Sequence, residues 1–340
     1  GAGGMGVVYA AYDPDLNRRV AIKLLIDERS ADSAARDRLL REAQAMAQLA
    51  HPNVVTVYDV GTLRDQVWIA MEFVEGQTLT QWLKDSRRKW RETLEVFQLA
   101  GQGLLAVHGT GLVHRDFKPD NVMIDKQGRV RVMDFGLARS LGLGSAESIA
   151  HSVRSGAGSK VLNKTLTEFG TLVGTPRYMA AEQWEQREVD ARTDQFSFCV
   201  ALWEALFGQL PFEGTTLPEL VASVTQGILL PPPSSTGVPT WLVVVIRRGL
   251  AADPSLRFPS MSELLAALSR DPTARRRRVI LILLLASLVV GFVWRGVLER
   301  PPRTNCALLE KGLKGVWDEE RQREVTAAYM GTGLPLAAKA

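Results

Sequence analysis

Eight consecutive residues, His114-Arg115-Asp116-Phe117-Lys118-Pro119-Asp120-Asn121, are followed thirteen positions after Asn121 by Asp134-Phe135-Gly136. Between them lie two short apolar runs, Val122-Met123-Ile124 and Val130-Arg131-Val132-Met133. Runs of this length and composition read as a strand pair. Such a hairpin returns the chain on itself and brings Asn121 and Asp134 to neighbouring strand ends, facing one ion site. The residue types add a chemical constraint. Moving a phosphoryl group from ATP to a hydroxyl needs a carboxylate beside the attacking oxygen and ligands for Mg2+ at the phosphates. Asp116 can serve as the first, Asn121 and Asp134 as the second.

At these two motifs, in this order and spacing, the chain resembles the eukaryotic-type (Hanks-type) serine/threonine protein kinases. The start fits the same family. Gly1, Gly3, Gly6 and Val8 match a G-x-G-x-x-G-x-V loop, in which glycines let a hairpin backbone approach phosphates without Cβ clashes. Val20-Ala21-Ile22-Lys23 reads as a strand ending in a lysine. Without the glycine loop Lys23 would be an ordinary surface-strand lysine. The resemblance gives it the α- and β-phosphates and a helix glutamate. Residues 36–49 are rich in helix formers, with Leu39, Ala43, Met46 and Leu49 on one stripe, and Glu42 beside that stripe is the glutamate the resemblance selects.

The resemblance makes residues 72–76 the hinge between lobes, with Met71 as gatekeeper. The Glu72 carbonyl and Val74 N–H would hold adenine, and Val8, Ala21 and Met123 would sandwich it. Ala180-Ala181-Glu182 stands where the family has Ala-Pro-Glu. Ala181 removes a backbone constraint but no catalytic group, at an expected cost of about 0.4–1 kcal/mol. Glu182 is expected to pair with Arg257, and Asp194 to steady the catalytic loop from a buried helix. Lys118, two residues after Asp116, and the Gly174-Thr175-Pro176 segment match the serine/threonine class, with Thr175 packed on the catalytic loop. Arg115 needs a counter-charge, and phosphate is a good one. That implies control by phosphorylation of residues 134–182, with Thr165, Thr167 and Thr171 as candidates, Thr171 the best placed. Residues 140–164, rich in Gly, Ser and Ala, read as an insertion.

Composition bounds the rest. Two cysteines exclude a disulfide framework, and a net charge of +4 is too mild to argue for nucleic acid. Much of that charge is Arg275-Arg276-Arg277-Arg278, which precedes sixteen uncharged residues, 279–294. Extended to Leu298 the run reaches twenty residues, about 30 Å as a helix, enough for a bilayer core. The alternative is a buried helix of the large lobe. The four arginines put the N-terminal side in the cytoplasm.

The expected fold is therefore α+β, a two-lobed kinase with a β-rich lobe over 1–73 and a mainly helical lobe over 74–269. A basic linker over 270–278, a transmembrane helix over 279–298 and the start of an extracytoplasmic helical or sensor region over 299–340 follow. The chain reads as a fragment whose first strand and last domain are cut, in the arrangement of single-pass bacterial receptor-like kinases of the cytoplasmic membrane. The resemblance implies ATP and Mg2+, with Mn2+ as a substitute, protein substrates, and a homodimer as the candidate arrangement for autophosphorylation. A pseudokinase scaffold of the same fold is the rival reading, opposed by a complete catalytic set. A small-molecule phosphotransferase is the second, opposed by the Gly-Thr-Pro segment and the Glu182–Arg257 pair.

Overall fold

A computed structural model describes residues 2–3, 6–25, 33–63, 66–135, 175–233, 237–298, 312 and 315–332. Two compact units emerge, Gly1–Pro272 and Thr273–Ala340.

The first unit opens with an antiparallel sheet of β1 (Ala2–Gly3), β2 (Gly6–Asp13), β3 (Arg18–Leu25), β4 (Val57–Leu63) and β5 (Gln66–Glu72), in the order β1-β2-β3-β5-β4. The β2–β3 turn is fixed locally. The Asp13 carboxylate accepts the N–H groups of Asp15 and Leu16, and Asn17 takes the left-handed conformation at φ 49° that asparagine tolerates. Register does the rest. Val8 lies opposite Lys23, Lys23 opposite Ile69, and Ala21 opposite Met71, so these five side chains share one face. Helix α1 (Ser33–Ala47) packs its stripe on the sheet through Ala43 and Met46, both buried. The expected helix over 36–49 thus starts three residues earlier and ends two earlier.

A second sheet, β6 (Gly76–Thr78), β7 (Val122–Asp125) and β8 (Val130–Val132), follows the hinge in the order β6-β7-β8. Gly76 is required there, since a Cβ would stand 2.0 Å from the Ile124 carbonyl oxygen. Helices α2 (Leu79–Asp85), α3 (Trp90–His108), α4 (Ala181–Trp184), α5 (Ala191–Phe207), α6 (Leu217–Gln226), α7 (Thr240–Gly249) and α8 (Met261–Ser269) complete the large lobe. Thr78 caps α2 reciprocally with Gln81. Helix α5 is the axis of the core. It is buried without a break from Thr193 to Trp203, as expected of a helix surrounded by protein. It starts on an Asp190 cap and stops at Gly208 in the left-handed conformation. Its Cys199 is wholly buried, and α7 approaches so closely that a Cβ on Gly249 would lie 2.3 Å from the Cys199 Sγ.

In the second unit α9 (Pro272–Leu298) carries the arginine run and the apolar run, and α10 (Glu319–Met330) starts on an Asp318 cap. Side chains of α9 are described from Ile282 to Arg295, and its large apolar ones are exposed throughout, Phe292 at 81 %. Among the described residues no helix is long and apolar enough to cross a membrane.

Candidate active site

The hairpin β7–β8 pairs Val122 with Val132, and the Met133 N–H donates to the Asn121 carbonyl at 2.9 Å. That bond brings the residues flanking Asn121 and Asp134 together, as the motif spacing requires. The loop before β7 is held from below by Asp194 on α5. One of its carboxylate oxygens accepts the His114 N–H at 2.7 Å and the other the Arg115 N–H at 2.8 Å. His108, at the end of α3, reaches the same carboxylate with Nε2 at 2.7 Å. Arg115 and Asp134 both adopt left-handed backbone, at φ 64° and 57°. Conformations that non-glycine residues avoid are kept where the surrounding bonds over-determine them, and they cluster at functional sites.

Asp116 is 3 % exposed. Its Oδ2 accepts the Lys118 ammonium at 2.8 Å and the Asn121 amide at 3.3 Å, while that amide also donates to the Asp116 carbonyl at 2.8 Å. These bonds use the nitrogen of Asn121 and leave its oxygen as the atom available to a cation. Asp116 Oδ1 is buried with no hydrogen-bond partner among the described residues. A buried, unmet carboxylate oxygen is costly and calls for a donor arriving from outside the fold.

His114 is wholly buried between the Phe117 and Phe135 rings. Its Nδ1 accepts the Asp116 N–H at 3.3 Å, so Nε2 carries the proton and donates to the Met133 carbonyl at 3.1 Å. Burial pushes its pKa below the ordinary 6.5, against the pull of Asp194 and Asp116. Both ring nitrogens serve the backbone, which suits a packing role.

Across the cleft, Lys23 is nearly buried and its Nζ donates to Asp134 at 2.7 Å. The sequence assigned this lysine to Glu42, and the structure gives it a different partner. Register places Lys23 on the cleft face of the sheet, and the left-handed turn at Asp134 brings the opposite charge to it. Glu42 is half-buried on α1, next to buried Ala43. Ala21, Val55 and Met71 form an apolar cluster with Val8, Phe73, Val74 and Met133 packed on it. Val8, Ala21 and Val74 are thus brought together, while Met123 stands half-buried on β7, opposite Thr78 and Arg131. Gly3 and Gly6 fall on β1 and β2 and are paired with each other. Gly1, Thr165, Thr167 and Thr171 lie outside the described residues, as does the side chain of Thr175, whose backbone opens a 3-10 turn.

Glu182 and Arg257 form a bidentate pair at 2.7 and 2.8 Å, both nearly inaccessible. The other guanidinium N–H groups reach the carbonyls of Ala251, Arg192 and Ala252, so all five donors are met. Three contributors escaped sequence reasoning. His108 braces Asp194, Gln183 donates to the Arg115 carbonyl at 3.0 Å, and Asn53 donates to the Val130 carbonyl at 2.9 Å. None sits inside the motifs by which the site was found.

The protein kinase domain model matches residues 1–267. Serine/threonine-protein kinase pkn2 of Myxococcus xanthus is 35 % identical over 81 % of this chain and 32 % of its own length. Serine/threonine-protein kinase PknE of Mycobacterium tuberculosis is 31 % identical over 78 % of this chain and 44 % of its own length. The chain therefore spans less than half of these curated relatives. Among solved structures, the PknI kinase domain of M. tuberculosis is 27 % identical with a TM-score of 0.58, covering 79 % of this chain and 92 % of that one. A β-rich lobe, a helical lobe and this match over residues 1–267 make the chain a member of the protein kinase domain family.

Proposed function

We propose that this chain transfers the γ-phosphoryl group of ATP to serine or threonine hydroxyls of proteins. One observation carries the reading: the buried Asp116 carboxylate, with one oxygen engaged by Lys118 and Asn121 and the other unmet. Asp116 Oδ1 accepts the hydrogen bond of the incoming hydroxyl, orients it, and takes its proton. Lys118, already at the carboxylate, stabilises the transferred charge and favours an aliphatic hydroxyl. With nucleotide bound, Lys23 would leave Asp134 for the α- and β-phosphates, with Glu42 on α1 as its supporting residue and the Asp134 carboxylate turned to the metal. The Glu72 carbonyl and Val74 N–H hold adenine between Val8, Ala21 and Met123, under the loop of Gly1, Gly3 and Gly6.

The donor set fits a hard divalent cation. Asn121 offers an amide oxygen and Asp134 a carboxylate, and among the described residues no three of His, Cys, Asp and Glu cluster as a self-sufficient metal site. Mg2+, or Mn2+ in its place, would complete its shell with phosphate oxygens and water, and when bound it neutralises phosphate charge.

Regulation is read from Arg115, which flanks Asp116 and whose carbonyl is tied to α4 by Gln183. Phosphorylation of Thr165, Thr167 or Thr171 would add a dianion of the kind a guanidinium binds near the catalytic loop, with a homodimer as the arrangement for autophosphorylation. The exposed apolar face of α9, extended by residues 279–281 and 296–298, supports a single membrane crossing over 279–298. Arg275 to Arg278 would keep the kinase unit on the cytoplasmic side of a bacterial membrane, with residues beyond 299 outside. Signalling across that membrane follows from this placement.

The test is γ-phosphate transfer from Mg-ATP to a generic protein acceptor, with site mapping by mass spectrometry. Label on serine or threonine, lost in Lys23→Met and Asp116→Asn, is expected. ATP binding without any label would move the chain to a pseudokinase scaffold.

A further inference from the structure

The last residue of β5 and the hairpin β7–β8 are joined by one side chain. Arg131, on β8, is 7 % exposed and forks. Its Nη1 donates to Asp125 at 2.9 Å, and its Nη2 forms an ion pair with Glu72 at 3.1 Å. Asp125 is a fixed post. It also accepts the N–H groups of Gln127 and Arg129, both at 2.9 Å, and the Arg129 side chain at 2.6 Å. Burial pushes the Asp125 carboxyl up, but these donors outweigh it and hold its pKa at about 2, so the post stays charged. Glu72 is fixed on its other sides, lying opposite Val20 on β3 and donating its N–H to the Thr56 carbonyl at 2.8 Å.

We propose that Arg131 is a positioning residue for the nucleotide, setting the hinge backbone at Glu72 against the hairpin that ends in Asn121 and Asp134. The inference rests on the adenine-binding reading of the hinge given above. One rigid fork would thus hold the spacing between the groups that receive the base and the groups that receive the metal-bound phosphates.

A parallel bridge, Arg19–Glu75–Lys126, spans the same gap at 2.7 and 3.0 Å. Its members are 66, 47 and 70 % exposed, so water and salt screen it and it contributes little to the geometry. Arg131 is shielded and bonded to two carboxylates, and its planar fork fixes direction as well as distance.

The experiment uses the full chain and measures Mg-ADP affinity, KM for ATP and kcat for Arg131→Met, Glu72→Gln and the double variant. Loss of the shielded Arg131–Glu72 ion pair corresponds to about a tenfold rise in ADP Kd and ATP KM. That rise is expected in each single variant, with kcat in Arg131→Met held within about twofold. The double variant should be no worse than either single one, and Arg131→Lys should recover part of the loss. A purely structural role would lower the melting temperature and leave Kd and KM where they were, and that outcome overturns the proposal. So do additive effects in the double variant. Should Arg131→Met fail to fold, unchanged ADP affinity in Glu72→Gln alone overturns it. Wild-type chain that binds no ADP sinks the hinge reading itself, a result separate from binding that neither variant disturbs.

Discussion

At the scale of single residues, the site is a set of atoms with their alternatives removed. His114 has one ring nitrogen accepting and one donating, both to backbone, and a proton added to Nδ1 would break the bond from the Asp116 N–H. Burial holds its pKa below 6.5, so the unfolded chain takes up this proton first as pH falls. The stability His114 contributes is complete above about pH 6.5 and drains away below it, towards the depressed folded value. Melting curves between pH 7.5 and 5 should fall on the acid side, and His114→Phe should flatten that part of the profile. A slope unchanged in the variant would place the acid sensitivity elsewhere. The contacts legible from spacing alone were those within a few positions of one another, while the Glu182–Arg257 pair and the Asp194 support came from the resemblance. Asp116, Lys118 and Asn121 touch because the loop is tight, and their spacing alone says so. His108 reaches Asp194 across 86 positions and Gln183 reaches the Arg115 carbonyl across 68, and no local pattern announces either. Lys23 illustrates a different limit. Its strand and its face follow from the sequence, but the choice between Glu42 and Asp134 depends on where a left-handed turn swings a carboxylate.

At the scale of elements, two features can be weighed against each other. The Glu182–Arg257 pair joins α4 to the loop before α8, out of water and with every guanidinium donor met. Removing one partner strands a buried charge, a loss of about 3–5 kcal/mol. Glu182→Gln should therefore shift urea unfolding strongly, and a shift under 1 kcal/mol would mean that the pair behaves as a surface bridge. Ala181, beside it, opens α4 at the first helical position, where proline is favoured. Ala180 before it is already extended, at φ −76° and ψ 159°, as a residue preceding proline should be. Ala181→Pro is expected to raise stability by about 0.4–1 kcal/mol through the unfolded chain. A lower unfolding midpoint in that variant would show that the helix start needs the Ala181 N–H. Strand and helix identities were readable because periodicity is a local property, as in β3, β5 and α1. The order β1-β2-β3-β5-β4 was not, since pairing of β3 with β5 across an intervening helix and strand is decided by packing.

At the scale of the whole molecule, the largest core cluster among the described residues of the first unit runs through both lobes and includes α5, while α9 exposes large apolar side chains. If the crossing proposed for residues 279–298 is right, a reporter fused after Ala340 will be exported and one fused before Gly1 will not. Replacing Arg275 to Arg278 with asparagine should scramble that orientation, and an unchanged pattern would contradict the basic anchor. The same packing that makes α5 an axis gives the protein an internal clock. Cys199 has no exposure, burial lifts its thiol pKa to about 12, and Gly249 of α7 closes over the sulfur. An alkylating reagent reacts with thiolate, so the folded chain offers it almost nothing. Modification of this sulfur, followed by the mass of the peptide that carries it and so apart from Cys306, therefore reports openings of the kinase core. Ligands that tighten the core, ADP among them, would be read directly as a slower tick, with no dye, denaturant or acceptor protein in the tube.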